Sequence, residues 1–147
     1  LKGKQVFQLI GGVLLLISFF FEWLYAGGFT YIKPVEIASN PGNLAFKFIL
    51  LFPLLGIVQI VLGVTKKNSF LLTAGTIIIA AIGLGSVIYE LMEYAKYNAE
   101  LSGIQRGRDL TVTTGFYIAV FAVISLFISL FLPGKDKIAN NEKTLVN

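Results

Sequence analysis

Apolar residues fall along the chain in four blocks, each closed by charged, proline-containing or glycine-containing stretches. Within a block the apolar side chains run on continuously, without the alternation of a half-buried strand or the single stripe of a surface helix. That pattern belongs to a helix with lipid around it. The blocks predict spans at about 6–25, 44–64, 70–89 and 113–132. The third organises the rest. Residues 70–89 carry no charge, and the following ELMEYAKYNAE continues without Pro or Gly to about Leu101, where Ser102-Gly103 offers a helix stop. At 1.5 Å per residue the uncharged part covers about 30 Å, the thickness of a bilayer core, and the continuation rises about 16 Å beyond it.

The first block follows Lys2 and Lys4, as the core of a signal peptide would. Its length, its end in Glu22, Trp23 and Tyr25, and its lack of a small-x-small cleavage site predict a retained span instead, with Trp23 and Tyr25 in the interfacial aromatic belt. In the loop over 26–43, Gly27-Gly28, Pro34 and Asn40-Pro41-Gly42 mark turns. Thr30, Tyr31, Ile32, Val35 and Ile37 predict a short extended piece, and Asn43 an N-cap. Pro53, near the middle of the second block, predicts a kink. The turn Thr65-Lys66-Lys67-Asn68 is short enough to make the second and third spans antiparallel neighbours. Pro133-Gly134 closes the fourth span, and 135–147 reads as a polar cytoplasmic tail. The reading is all-α: an integral membrane four-helix bundle, antiparallel up-down, one domain over 1–134, with the third helix extended beyond the membrane on the outer side.

Composition strengthens this reading. Of 147 residues 56% are hydrophobic and 14% charged, with mean hydropathy +0.80, more apolar surface than a soluble domain of this length can hide. There is no Cys and no His. Disulfides, thiol nucleophiles, Ser-His-Asp triads, imidazole-ligated haem and the usual zinc sets are thereby excluded, and no catalytic, cofactor-binding or metal-ligating set is assigned. The chain is expected not to be an enzyme. Its net charge of +4 sits at the ends of the apolar blocks, not in a stripe, so no nucleic-acid partner is expected.

Those charges set an orientation instead. The termini and the turn between the second and third spans carry seven basic residues, and the opposite face five, together with Glu22, Glu36, Glu90, Glu93, Glu100 and Asp109. By the positive-inside rule both termini are cytoplasmic, in a plasma membrane. The richness in Ile, Phe, Lys and Asn with short loops points to a bacterial chain.

Four features could carry function. Glu22, Lys47 and Glu90 fall at similar depth at the outer ends of their spans, with Glu93 one turn on. A charged cluster there could form a mouth or a site. The plainer reading has these residues touching headgroups and water, with a Glu22–Lys47 pair. Tyr89, Tyr94 and Tyr97 with Glu90, Glu93, Lys96 and Glu100 make an aromatic and acidic helical end, able to dock a partner or simply to be solvated. Gly115, Ala119, Ala122, Ser125 and Ser129 form a small-residue stripe on the fourth span, a helix-packing or partner face, with Phe116, Val120, Val123, Phe127, Leu130 and Phe131 opposing or bordering it. Gln59, alone inside the second span, is expected to bond a neighbouring helix.

The layout is similar to that of tetraspan proteins such as claudins: termini inside, a Trp just after the first span, a tight inner turn. Here the first loop has neither a cysteine pair nor a Trp-Gly-Leu-Trp-like signature, and no residue role is carried over. The expected function is that of a non-enzymatic accessory or scaffolding subunit, bound to the lipid bilayer and to another membrane protein or to itself. The alternative is a small oligomeric transporter or channel with Glu22, Lys47 and Glu90 at its outer mouth.

Overall fold

The computed structural model describes residues 3–28, 30–67, 69–101 and 109–133. It is mostly helical, with three helical segments long and apolar enough to cross a membrane and a shorter apolar one. The polar tail and the Ser102-Gly103 stop expected from the sequence lie outside the described residues.

The shorter helix is α1, Gly3–Ser18. The prediction of a helix to residue 25 is corrected here. After Ser18 the chain turns, and the Trp23 N–H donates to the Ile32 carbonyl while the Trp23 carbonyl accepts from Thr113 N–H. Backbone that would have continued the helix is spent on a small sheet. Strands β1 (Leu24–Tyr25), β2 (Tyr31–Ile32) and β3 (Thr111–Val112) pair antiparallel in the order β2-β1-β3, with Leu24 opposite both Ile32 and Val112. The turn between β1 and β2 uses Gly27 and Gly28 at φ 68° and 58°, where a Cβ would be strained. Trp23 is likewise not a belt residue. It is fully buried, with Nε1 donating to the Ser18 carbonyl at 2.8 Å and its ring against Phe52 and Phe116 at 5.5 and 5.7 Å.

Only Tyr31 and Ile32 of the expected extended piece are extended; Val35 and Ile37 belong to a short helix, α2 (Pro34–Ser39). Pro34 opens it, where no N–H is needed, and the Glu36 carboxylate accepts from Lys33 N–H at 2.6 Å. Asn43 caps the next element as expected, its Oδ1 accepting from Ala45 N–H at 2.9 Å. That element is a 3-10 helix, Leu44–Leu51, which becomes the α-helix α3 at Phe52–Thr65. At three residues per turn, Phe46, Ile49 and Phe52 line up on one edge, and all three are buried. Pro53, where the sequence predicts a kink, stands in the first turn of α3 just past the change from 3-10 to α-helix, where its missing donor is not required.

Helix α4 runs unbroken from Phe70 to Glu100, capped by Ser69, whose hydroxyl accepts from Leu72 N–H; α5 is Thr114–Phe131. Helix α1 packs on α3 and α5, and α4 packs on α5 and on the 3-10 stretch. Glycines set the closest approaches. A Cβ on Gly12 would lie 2.8 Å from the Gly56 carbonyl, and one on Gly56 2.8 Å from the Gly12 carbonyl. A Cβ on Gly11 would meet Leu126 at 2.6 Å and the Ala122 carbonyl at 3.1 Å. Backbone contact of this kind holds helices together where lipid removes the hydrophobic difference.

Candidate functional site

The structure places Gly115, Ala119, Ala122 and Ser129 in the buried face of α5, with Ser125 half-buried. Gly11 of α1 lies on this stripe near its middle, and a Cβ on Gly115 would meet the Glu22 carbonyl at 2.6 Å. The stripe therefore packs inside the chain. Of the residues opposing or bordering the stripe, Phe116 is buried on Trp23, whereas Phe127 and Phe131 are exposed.

Lys47 makes no ion pair with Glu22. Its ammonium donates to the Ala38 carbonyl at 2.7 Å, at the end of α2. The Glu22 main-chain carbonyl accepts from Gly115 N–H and the Thr113 hydroxyl, tying the segment between α1 and β1 to the start of α5. Glu90 accepts from the Asn43 side-chain amide at 3.2 Å. Glu93 pairs with Lys96 at 2.8 Å, an exposed contact that raises the Lys96 pKa, first through the hydrogen bond and then through the neighbouring charge. Each of Lys47, Glu90 and Glu93 is thus engaged locally, and no ion pair joins the cluster among the described residues.

Sequence reading passed over the cavity that Glu90 borders. It measures about 320 Å³ and lies where α2, β1, β2, the start of the 3-10 helix and α4 meet. Val87, Glu90, Leu91 and Tyr94 line it from α4, one helical face at i, i+3, i+4 and i+7. Glu36 and Ile37 of α2 line it, with Asn40 just after that helix, and Leu24, Ile32 and Phe46 close its apolar floor. Only in the fold do these residues meet; Leu24 and Leu110, at opposite ends of the lining, have no sequence pattern in common.

The last turns of α4 have two unlike faces. Val87, Leu91, Tyr94 and Asn98 turn toward the rest of the chain, the first and last of them buried. About half a turn round the helix, Tyr89, Met92 and Tyr97 are 61%, 57% and 61% exposed, interleaved with Glu93, Lys96 and Glu100.

Gln59 does bond a neighbouring helix. Fully buried, it donates to the Thr76 hydroxyl at 2.8 Å and accepts from the Thr73 hydroxyl at 3.2 Å. Gln8 of α1 extends the chain of bonds, donating to Thr73 at 3.1 Å, so three helices share one polar ladder in an apolar interior. The Gln8 Oε1 atom has no partner among the described residues. An unmet buried acceptor costs about 1–3 kcal/mol, enough to offset the single bond Gln8 makes. Gln59→Leu is therefore expected to cost about 1–3 kcal/mol, while Gln8→Leu stays close to neutral. Unfolding in mixed micelles, titrated with a denaturing detergent, checks this; equal losses would contradict it.

Comparison with protein-family models, with curated proteins and with solved structures finds no match to the chain.

Proposed function

We propose that the chain is a four-span membrane protein whose α1, 3-10/α3, α4 and α5 segments cross the bilayer, with the sheet and α2 forming a cap on the outer side. Side chains such as Leu71 (80% exposed), Phe121 (61%) and Ile78 (60%) surround the helices on their outward faces, an apolar surface too extensive for water. Helix α1 alone reaches only about 24 Å, and the turn after it completes the span. The contacts of α1 with α3 and α5 run in opposite senses, Gly12 to Gly56 and Gly63 to Leu9, Gly11 to Ala122 and Gly3 to Leu132, which supports the up-down arrangement. The excess of lysines on the side of the termini supports a cytoplasmic placement for them, in the plasma membrane.

Within that membrane the chain acts as an accessory subunit, docking on the outer part of another membrane protein through the projecting end of α4. One observation carries this reading: Met92 and Tyr97 are exposed on the unbroken helix α4 beyond its uncharged run. Aromatic residues and Met are what interface centres are enriched in. Glu93 and Glu100 beside them favour a basic partner surface. A photo-crosslinking amino acid at Met92 or Tyr97 should trap one discrete membrane protein in native membranes, and the same group at Ile128 should not. Traps of equal yield from all three positions, or none, would sink the proposal.

A further inference from the structure

The cavity beneath α2 has a chemistry that docking through α4 does not use. At about 320 Å³ it sits at the small end of ligand sites, which run from about 300 to 1,000 Å³. Its floor is aliphatic and aromatic: Leu24, Ile37, Phe46 and Val87 are all core residues. Its rim carries two carboxylates from different elements, Glu36 on α2 and Glu90 on α4. Neither has an ion pair among the described residues. Glu36 accepts one backbone N–H and Glu90 one amide N–H, which leaves most of the lone pairs on each unused. The Lys47 ammonium does not neutralise them, being held on the Ala38 carbonyl.

An occupant must satisfy both halves of this site. A carboxylate or phosphate would be repelled at the rim. A wholly apolar molecule would cover the floor but strip water from unpaired carboxylates. An ammonium on an alkyl chain meets both demands, through charge-assisted N–H···O bonds above and apolar contact below. The volume admits one short chain and excludes the two acyl chains of a membrane lipid. We propose that this cavity is a binding site for a small amphiphilic amine, with Glu36 and Glu90 holding the ammonium and Phe46 and Val87 flanking the alkyl part.

The test uses the whole chain in phosphatidylcholine nanodiscs and two alkyl diazirine probes of equal length, one ending in a primary ammonium and one in a carboxylate. On illumination the ammonium probe should label the Val87–Tyr94 stretch about tenfold more than the carboxylate probe does. Hexylamine should compete, and hexanol should not. Glu36→Gln with Glu90→Gln should lower labelling by about tenfold or more; Gln can still accept the Lys33 N–H that starts α2, and an unchanged Trp23 emission verifies the fold. Should that pair unfold the cap, Glu90→Gln alone gives the same reading, since Glu90 caps nothing. Nanodiscs containing phosphatidylethanolamine should label as strongly as those without it. Equal labelling by the two probes, indifference to the Gln variants, or blockade by phosphatidylethanolamine would overturn the proposal.

Discussion

Replacing Gly12 by leucine is expected to separate α1 from α3 and to destabilise the protein by about 3 kcal/mol or more, the upper end of overpacking costs. A Cβ at this position already falls 2.8 Å from the Gly56 carbonyl and 2.9 Å from the Ile60 nitrogen, so the obstacle is backbone and no side chain can turn aside to make room. Gly56→Leu meets the same obstacle from the other helix, where its Cβ would lie 2.9 Å from the Leu16 nitrogen. The two substitutions share one contact, so their combined cost should fall well short of additive. Gly85→Leu is the control. Nothing lies within 4 Å of its Cβ, and leucine is a better helix former than glycine, so it should be neutral or slightly stabilising. Trp23 is the only tryptophan and is buried between the helices and the cap, so its fluorescence follows unfolding directly.

Trp23→Ala should cost about 3–5 kcal/mol, the range for emptying a large buried aromatic site. Three elements lose a neighbour at once, because the ring lies against Phe52 at the 3-10 to α3 junction and Phe116 in α5, and its Nε1 holds the Ser18 carbonyl at the end of α1. Trp23→Phe keeps much of the packing and loses the donor, for about 1–2 kcal/mol by the usual worth of one buried hydrogen bond and a small void. Circular dichroism melts of the variants in detergent check both. Equal losses for Ala and Phe would mean that the ring packing contributes little.

How much of this was legible in the sequence follows from what distinguishes one conformation from another. The uncharged run from Phe70 and the Pro- and Gly-free continuation to Glu100 permit a single helix, and α4 is that helix. The block before Tyr25 permits more, because a continuous apolar run reads alike as helix, turn or buried strand. Two-residue strands have no periodicity to detect, and β1 finds β3 across most of the chain. Trp23 at the end of an apolar block has the same neighbours in sequence whether it meets headgroups or Phe52 and Phe116. The 3-10 stretch left a faint signal in the three-residue spacing of Phe46, Ile49 and Phe52. Gln59 stood out as polar, but Thr73, Thr76 and Gln8 did not, since their roles depend on how helices are set side by side. The cavity was invisible for the same reason: its residues belong to separate elements and become neighbours only in the folded chain.

The membrane reading, with the cap outside and the termini inside, is tested most directly by labelling single cysteines in intact cells. The chain has none of its own, so Lys33→Cys in the cap and Lys66→Cys in the turn between α3 and α4 each give one reactive thiol at an exposed position. With a membrane-impermeant maleimide, position 33 should be labelled at once and position 66 only after the membrane is opened. Labelling of 66 but not 33 in intact cells would invert the topology, and equal prompt labelling of both would remove the bilayer from between them.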